Sequence, residues 1–101
     1  MAKVQLEFLP SLAEALGIEQ TSEALIPDTE IGNSRSLVSL LNRLGAKYPL
    51  FGQIVFDIQT QQLTGGVAIF LNERSVEAGS GLETRLRDGD KLTFVPVIEG
   101  G

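Results

Sequence analysis

The side chains of this 101-residue chain offer little chemistry of their own, because His, Cys and Trp are all absent. A thiol nucleophile, a histidine general base and a Cys/His zinc or haem site are therefore excluded. Carboxylates, hydroxyls, lysines and the terminal carboxylate of Gly101 remain. We predict that the chain is not an enzyme, that it binds no metal or cofactor, and that it acts as a substrate, carrier or partner protein.

The C-terminal end is the most distinctive chemical feature of the chain. Gly100-Gly101 follows residues 91–99, whose apolar run predicts a β-strand. Glycine adopts backbone angles closed to other residues, so the pair predicts a thin tail that can enter a narrow channel. Such a tail would deliver one reactive group, the Gly101 α-carboxylate, to another protein. The alternative is an ordinary flexible end without function.

Two features beside the glycines bear on that choice. Pro96 cannot donate a ladder hydrogen bond, so it is expected to help release the tail from the sheet. Val97 and Ile98 follow it and are apolar without an obvious core. They either contact a partner or fold back onto the domain.

The composition predicts one globular domain over residues 1–101, with a flexible tail at about 97–101. No apolar run is long enough to span a membrane, and no signal peptide precedes the first strand, so we expect a cytoplasmic protein. The first 34 residues carry one lysine and six acidic residues, which account for the whole net charge of −5. Without a basic stripe, nucleic-acid binding is not expected. The acidic third is either a solvated surface or a face for a basic partner.

The first half of the chain predicts a hairpin followed by a helix. Residues 3–8 alternate apolar and polar side chains, which is typical of a half-buried strand. Residues 11–16 predict one helical turn that Gly17 ends. Residues 18–26 predict a weaker second strand, closed by a turn at Pro27-Asp28.

The main helix is predicted from a single apolar stripe. Its start is capped by Ser34 or Ser36, and Tyr48-Pro49 ends it, because a residue before proline is pushed out of the helical region. The stripe consists of Leu37, Leu40, Leu41 and Leu44.

The second half predicts mainly strands. Residues 53–58 indicate a short strand or a turn, and residues 67–71 form a continuous apolar run typical of a strand buried on both faces. Asn72-Glu73 is expected to turn the chain so that Ser75-Val76 pairs back.

The last strand is predicted to follow an Asp88-Gly89-Asp90 turn, with Leu92 and Phe94 on one face. The resulting order, β-β-α-β-β-β, packs one main helix on one sheet and predicts an α+β roll.

Residues 87–101 combine an Asp-Gly-Asp turn, an apolar strand, a proline, three further residues and a Gly-Gly end. This combination resembles the C-terminus of the MoaD/ThiS/Urm1-like β-grasp sulfur carriers, which include archaeal ubiquitin-like modifiers and CysO-like proteins. The first strand, the helix at 37–44 and the strand at 67–72 follow in the family's order, so the resemblance covers the whole chain. The length suits the MoaD-like, archaeal-modifier and CysO-like members, and residues 81–86 are similar to the CysO-like branch.

The resemblance implies a β-grasp (ubiquitin-like) roll with a mixed sheet and one main helix. It also implies that an E1-like adenylating enzyme of the MoeB/ThiF type activates the Gly101 carboxylate with ATP and Mg²⁺. A sulfur donor would then convert it to a thiocarboxylate. The partner-binding residues would be Pro96, Val97, Ile98, Glu99 and Gly100.

Several destinations for the sulfur stay open. Molybdopterin biosynthesis, through the molybdopterin synthase large subunit, is the first. Cysteine biosynthesis through a cysteine synthase, and tRNA thiolation, are alternatives, as is a ubiquitin-like modifier conjugated through Gly101. A plain interaction domain is the third class of function. Gln5 and Glu7 are polar where some family members have apolar residues on the outer face of the first strand, so the partner's identity stays open.

Overall fold

The computed structural model describes residues 2–26, 36–76 and 79–97. The predicted Pro27-Asp28 turn, the alternative cap Ser34 and the predicted site residues from Ile98 to Gly101 lie outside the described residues. No helix in the described ranges is both long enough and apolar enough to cross a membrane.

Seven strands and three α-helices make up the described part of the chain. The strands are β1 (Ala2–Phe8), β2 (Thr21–Ile26), β3 (Phe56–Asp57), β4 (Gln62–Leu63), β5 (Val67–Leu71), β6 (Arg74–Ser75) and β7 (Lys91–Pro96). The helices are α1 (Pro10–Leu16), α2 (Leu37–Lys47) and α3 (Phe51–Ile54), with a 3₁₀ turn at Gly79–Glu83. Five strands form one sheet in the order β2-β1-β7-β5-β6, and β3 and β4 form a separate hairpin.

The first strands follow the predicted hairpin. In β1 the even-numbered side chains are buried, as the alternation predicted. Strand β2 pairs with it antiparallel, with Ala2 opposite Ile26 and Glu7 opposite Thr21. Between them α1 ends at Gly17, whose φ of 70° places it in the left-handed region that glycine tolerates. The predicted helical turn and its glycine stop are confirmed.

Helix α2 lies against the inner face of the sheet and supplies much of the core. Its N-cap is Ser36, whose side-chain oxygen accepts a hydrogen bond from the Ser39 backbone N–H at 3.2 Å. Tyr48 ends the helix in an extended conformation, as expected before Pro49. The predicted stripe is buried in the core at Leu37, Leu40, Leu41 and Leu44.

Strand β7 is central to the sheet. It runs parallel to β1 and antiparallel to β5, so the last strand of the chain is hydrogen-bonded on both sides. This mixed sheet with α2 on one face is the predicted α+β, ubiquitin-like roll. Strand β7 has hydrogen-bonded neighbours on both sides, β1 and β5. This pairing keeps it in place better than pairing on one side would.

Two predictions were wrong in part. Residues 53–58 begin with the last two residues of the short helix α3 and continue into the two-residue strand β3, rather than forming one strand or turn. Strand β5 is not buried on both faces, because Val67 and Ile69 are buried while Ala68 and Phe70 are only half-buried. A continuous apolar run marks burial on both faces only when a second layer covers the outer side, and α2 covers only the inner one.

Candidate functional site at the base of the C-terminal tail

The turn that starts β7 is fixed by hydrogen bonds to the opposite end of the chain. Gly89 has a φ of 89°, which the predicted Asp-Gly turn required. Its N–H donates to the Lys3 carbonyl at 2.9 Å, and the Lys3 N–H donates to the Asp88 side chain at 2.8 Å. The Asp90 side chain accepts from the Arg87 N–H at 2.7 Å. The turn therefore locks β7 to the start of β1.

A second contact joins this turn to the hairpin of β5 and β6. Asn72 donates from its side chain to Asp90 at 2.8 Å, and its side-chain oxygen accepts from the Lys91 N–H at 3.0 Å. Asn72 and Glu73 have φ values of 49° and 74°, which lie in the left-handed region, as in the tight turns that join paired strands. The prediction that this pair turns the chain is confirmed, but the role of Asn72 in holding β7 was not predicted.

Aromatic packing fixes the middle of β7. The Phe8 and Phe94 rings stack with centroids 4.5 Å apart and an angle of 11° between their planes. Phe51 meets Phe94 edge to face at 6.0 Å. All three side chains are fully buried. Stacked and edge-to-face aromatic pairs add about 0.5–1.5 kcal/mol beyond the burial of their area, so β7 is anchored three residues before Val97.

The sheet continues to the last described residue. Pro96 lies opposite Val67, and the N–H of Val97 then donates to the Gly66 carbonyl at 2.9 Å. Pro96 is therefore the last residue of β7, and pairing on the β5 side continues one residue further, to Val97. The residues in which release of the tail is expected lie outside the described part of the chain. Of the predicted partner-binding residues, the structure places Pro96 half-buried and Val97 exposed at this position.

An apolar surface adjoins this point on the outer face of the sheet, opposite α2. We call it the outer strip and define it as Ala68, Phe70, Val95 and Val97. Ala68 pairs with Val95 across the two strands, and Val97 is 46% exposed. Ala68 and Phe70 were not predicted to lie at a surface, because the continuous apolar run of β5 indicated burial on both faces. The alternation of β7, with Phe94 buried and Val95 half-buried, is the signal that identifies this face.

The other half of the same face is charged. The Lys91 ammonium lies 2.7 Å from the Glu7 carboxylate, and Lys3 lies 3.8 Å from Glu23. The hydrogen bond from Lys91 to Glu7, together with the attraction between their charges, raises the pKa of Lys91 above its ordinary value. Gln5 and Glu7 thus place polar groups beside the outer strip, as the sequence indicated.

The described residues do not bring together an obvious catalytic constellation. Among residues 2–26, 36–76 and 79–97, no group of three or more Asp or Glu side chains lies close enough to hold a metal ion. What this region does provide is a strand that is hydrogen-bonded on both sides and an apolar surface beside its C-terminal end.

The sequence matches the model of the ThiS family over residues 26–101. It is also 42% identical over 40 residues to a protein of Archaeoglobus fulgidus whose name assigns it a sulfur-carrier role. That match covers 40% of this chain and 46% of the relative, so the chain spans about half of the curated relative it matches.

Solved structures share the fold over nearly the whole chain. The small archaeal modifier protein 1 of Methanosarcina acetivorans is 26% identical, with a TM-score of 0.71 and coverage of 100% of this chain and 98% of that one. A chain of the BexX/CysO complex of Amycolatopsis orientalis is 21% identical, with a TM-score of 0.70 and coverage of 97% of this chain and 99% of that one.

Proposed function

Because this chain belongs to the ThiS family, we propose that it is a sulfur carrier whose Gly101 carboxylate is activated by another enzyme and converted to a thiocarboxylate. The observation that carries the proposal is the anchoring of β7. The strand pairs with β1 as far as Phe94 and with β5 as far as Pro96, and the Val97 N–H then bonds to Gly66. Three residues, Ile98, Glu99 and Gly100, separate Val97 from Gly101. The fold thus presents the end of the chain from a rigid base, which favours its correct placement in a partner's active site.

The chemistry requires two steps outside this chain. A Gly101 carboxylate oxygen attacks the α-phosphorus of ATP, pyrophosphate leaves, and an acyl-adenylate forms. A sulfur donor, such as a persulfide, then attacks the carbonyl carbon, and AMP leaves with the bonding electron pair. Reductive release of the donor, by a thiol, leaves the thiocarboxylate on Gly101. The activating enzyme supplies ATP and Mg²⁺, so this chain needs no nucleotide site.

An E1-like adenylating enzyme of the MoeB/ThiF type is the partner we propose for the first step. Its contact would include Pro96, Val97, Ile98, Glu99 and Gly100, and would extend over the outer strip. The exposed Val97 supports this, because an apolar side chain at the start of the tail gains stability when a partner covers it. Since activation consumes ATP, we propose the cytoplasm as the compartment.

Molybdopterin biosynthesis is the destination we propose for the sulfur, with the molybdopterin synthase large subunit as acceptor. The likeness of the fold to a Pyrococcus furiosus protein named as molybdopterin converting factor, subunit 1, supports it. Cysteine synthesis by a cysteine synthase is the alternative that the likeness to CysO favours. Transfer to tRNA is a further alternative. These destinations can be distinguished by incubating the thiocarboxylate form of this chain with each purified acceptor enzyme. The true acceptor is the one that removes the sulfur from Gly101.

The decisive experiment measures the intact mass of the chain after incubation with ATP, an E1-like enzyme and a sulfur donor. Replacement of oxygen by sulfur raises the mass by about 16 Da. The variant that lacks Gly101 should gain no mass, whereas Gln62→Ala, on the exposed β4 hairpin, should react like the parent. No gain of mass with any MoeB/ThiF-type enzyme would contradict the proposal.

A ubiquitin-like modifier is the second candidate, and the likeness to a small archaeal modifier protein favours it. Activation would be the same, but a lysine amine of a target protein would attack the acyl group in place of sulfur, forming an isopeptide bond. Covalent conjugates of high mass that disappear when Gly101 is deleted would identify this function. The carrier function predicts a thiocarboxylate and no conjugates.

A further inference from the structure

In the described part of the chain, strand β2 is one edge of the five-stranded sheet, and no strand pairs with the side that faces away from β1. In β1, Gln5 N–H and Lys3 carbonyl bond toward β7, so odd-numbered residues of β1 face β7. Phe8 N–H bonds to the Gln20 carbonyl, so even-numbered residues face β2. By the antiparallel pattern, the backbone groups of Thr21, Glu23 and Leu25 then point away from the sheet.

A groove runs along this edge, between β2 and α2. Its volume is about 340 Å³. The floor is apolar and includes Ala24, Leu40 and Leu44, all of which are buried. Side chains of an extended segment placed beside β2 would alternate, and every second one would point into this floor. The groove therefore suits a strand with apolar residues at alternate positions.

The wall formed by α2 carries only positive charge. Arg43 and Lys47 lie one helical turn apart on it, and both are exposed. Arg43 also donates to the Leu25 carbonyl at 3.1 Å, so its guanidinium lies over the edge of β2. Glu23 also lines the groove, but its carboxylate is paired with Lys3 on the outer face of the sheet. The chain as a whole has a net charge of −5, but this wall of the groove is positive. A binding segment with acidic residues would therefore be favoured over a basic one.

We propose that β2 and the groove beside it bind an extended segment of a partner protein, which adds a strand to the sheet. The segment would place apolar residues at alternate positions against α2 and acidic residues beside Arg43 and Lys47. Main-chain hydrogen bonds to Thr21, Glu23 and the Leu25 N–H would supply affinity, since the Leu25 carbonyl already accepts from Arg43, and the groove would supply specificity. This surface is separate from the tail and does not depend on the proposed sulfur chemistry.

The first experiment uses a synthetic probe peptide, Asp-Asp-Val-Thr-Ile-Thr-Val-Asp-Asp, titrated into the full-length chain. Amide shifts in ¹H–¹⁵N spectra should change in β2 and α2 and leave β5 and β6 unchanged. The same peptide with Lys in place of every Asp should bind about tenfold more weakly or not at all, because attraction becomes repulsion.

Two protein variants test the two parts of the site separately. Glu23→Pro removes an outward N–H while leaving the pairing with β1 intact, since proline is tolerated at sheet edges. It should abolish binding. Arg43→Glu combined with Lys47→Glu should weaken binding about tenfold. Arg74→Glu combined with Arg87→Glu, the same change of charge on two exposed residues away from the groove, should not. Far-UV spectra should show that each variant is folded.

Three results would overturn the proposal. Binding that survives Glu23→Pro would rule out strand addition. Shift changes confined to the outer strip would place the peptide on the other face. Changes in β2 and α2 that follow protein concentration without any peptide would make a second copy of this chain the occupant. Activation of Gly101 should be unaffected by Glu23→Pro, so failure here is distinguishable from failure of the sulfur-carrier function.

Discussion

The backbone N–H of Val97 donates to the Gly66 carbonyl at 2.9 Å, one residue beyond the proline that ends β7. This bond extends the pairing of the sheet to the last described residue. It lies beside Gly65-Gly66, where the chain enters β5. We therefore count the reach of the proposed tail from Val97.

Val97→Pro removes this last donor, and we expect it to lower the free energy of unfolding by about 0.5–1.5 kcal/mol, the net worth of one hydrogen bond. Val97→Ala is the matched control, because it keeps the N–H and shortens only an exposed side chain. Its effect should stay within about 0.5 kcal/mol. Urea unfolding of both variants provides the measurement, and equal midpoints would show that the bond contributes nothing.

Deletion of Glu99 should block activation of the tail more severely than Glu99→Ala. Four residues, Ile98 to Gly101, follow Val97, and fully extended they reach at most about 14 Å. Removing one shortens that reach by about 3.5 Å while leaving Gly100-Gly101 in place. Because a misplacement of about 1 Å can cost a hundredfold in rate, we expect at least that loss in adenylation.

The measurement is release of pyrophosphate by the activating enzyme at a fixed carrier concentration. If deletion and substitution of Glu99 reduced the rate equally, the side chain of Glu99 would matter and the length of the tail would not.

Gly89→Ala should destabilise the fold by about 1–2 kcal/mol, because an L-residue is strained at its φ of 89°. No heavy atom lies within 4 Å of the position a Cβ would occupy, so the cost arises from the backbone alone. Gly52→Ala is the control, since Gly52 also has open space around it but lies in α3 without a positive φ. There alanine should be neutral or stabilising by up to about 1 kcal/mol.

Chemical unfolding of the two glycine variants side by side tests this pair. A Gly89→Ala protein as stable as the parent would mean that the turn adopts another conformation without cost.

Local sequence patterns predicted the elements whose determinants lie within a few residues. The alternation of β1, the leucine stripe of α2 and the Gly89 turn each depend on short-range geometry, and each is confirmed. The error at β5 has a different origin. Whether Phe70 is buried depends on what covers the outer face of the sheet, and that is decided by the position of α2 on the other face.

In the candidate site, too, local features were predicted from the sequence and contacts between distant residues were not. The tail is visible in the sequence because Gly100-Gly101 and Pro96 are local signals. The contacts that hold its base are not local. Asn72 and Asp90 are separated by 18 residues, and Lys3 and Asp88 by 85. Only the pairing of β7 with β1 and β5 brings them together, so the sequence alone could not name them.

The ion pair between Glu7 and Lys91 should make a contribution to stability that disappears only at high pH. Its hydrogen bond and charge raise the pKa of Lys91 in the folded state above the ordinary value of 10.5. A group whose pKa is raised on folding stabilises the fold fully below the unfolded pKa, and the contribution is lost as the pH rises through the folded pKa. The difference in urea midpoint between the parent and Glu7→Gln should therefore be constant from pH 7 to about 10 and vanish above the raised pKa.

Because both side chains are about half exposed, the difference should be small and should shrink in high salt. Glu14→Gln, on the exposed side of α1, removes the same charge away from Lys91 and serves as the control. It should show no step near the pKa of Lys91. A Glu7→Gln protein whose midpoint differs from the parent equally at pH 8 and at pH 12 would show that Glu7 acts through packing or hydrogen bonding rather than through the charge of Lys91.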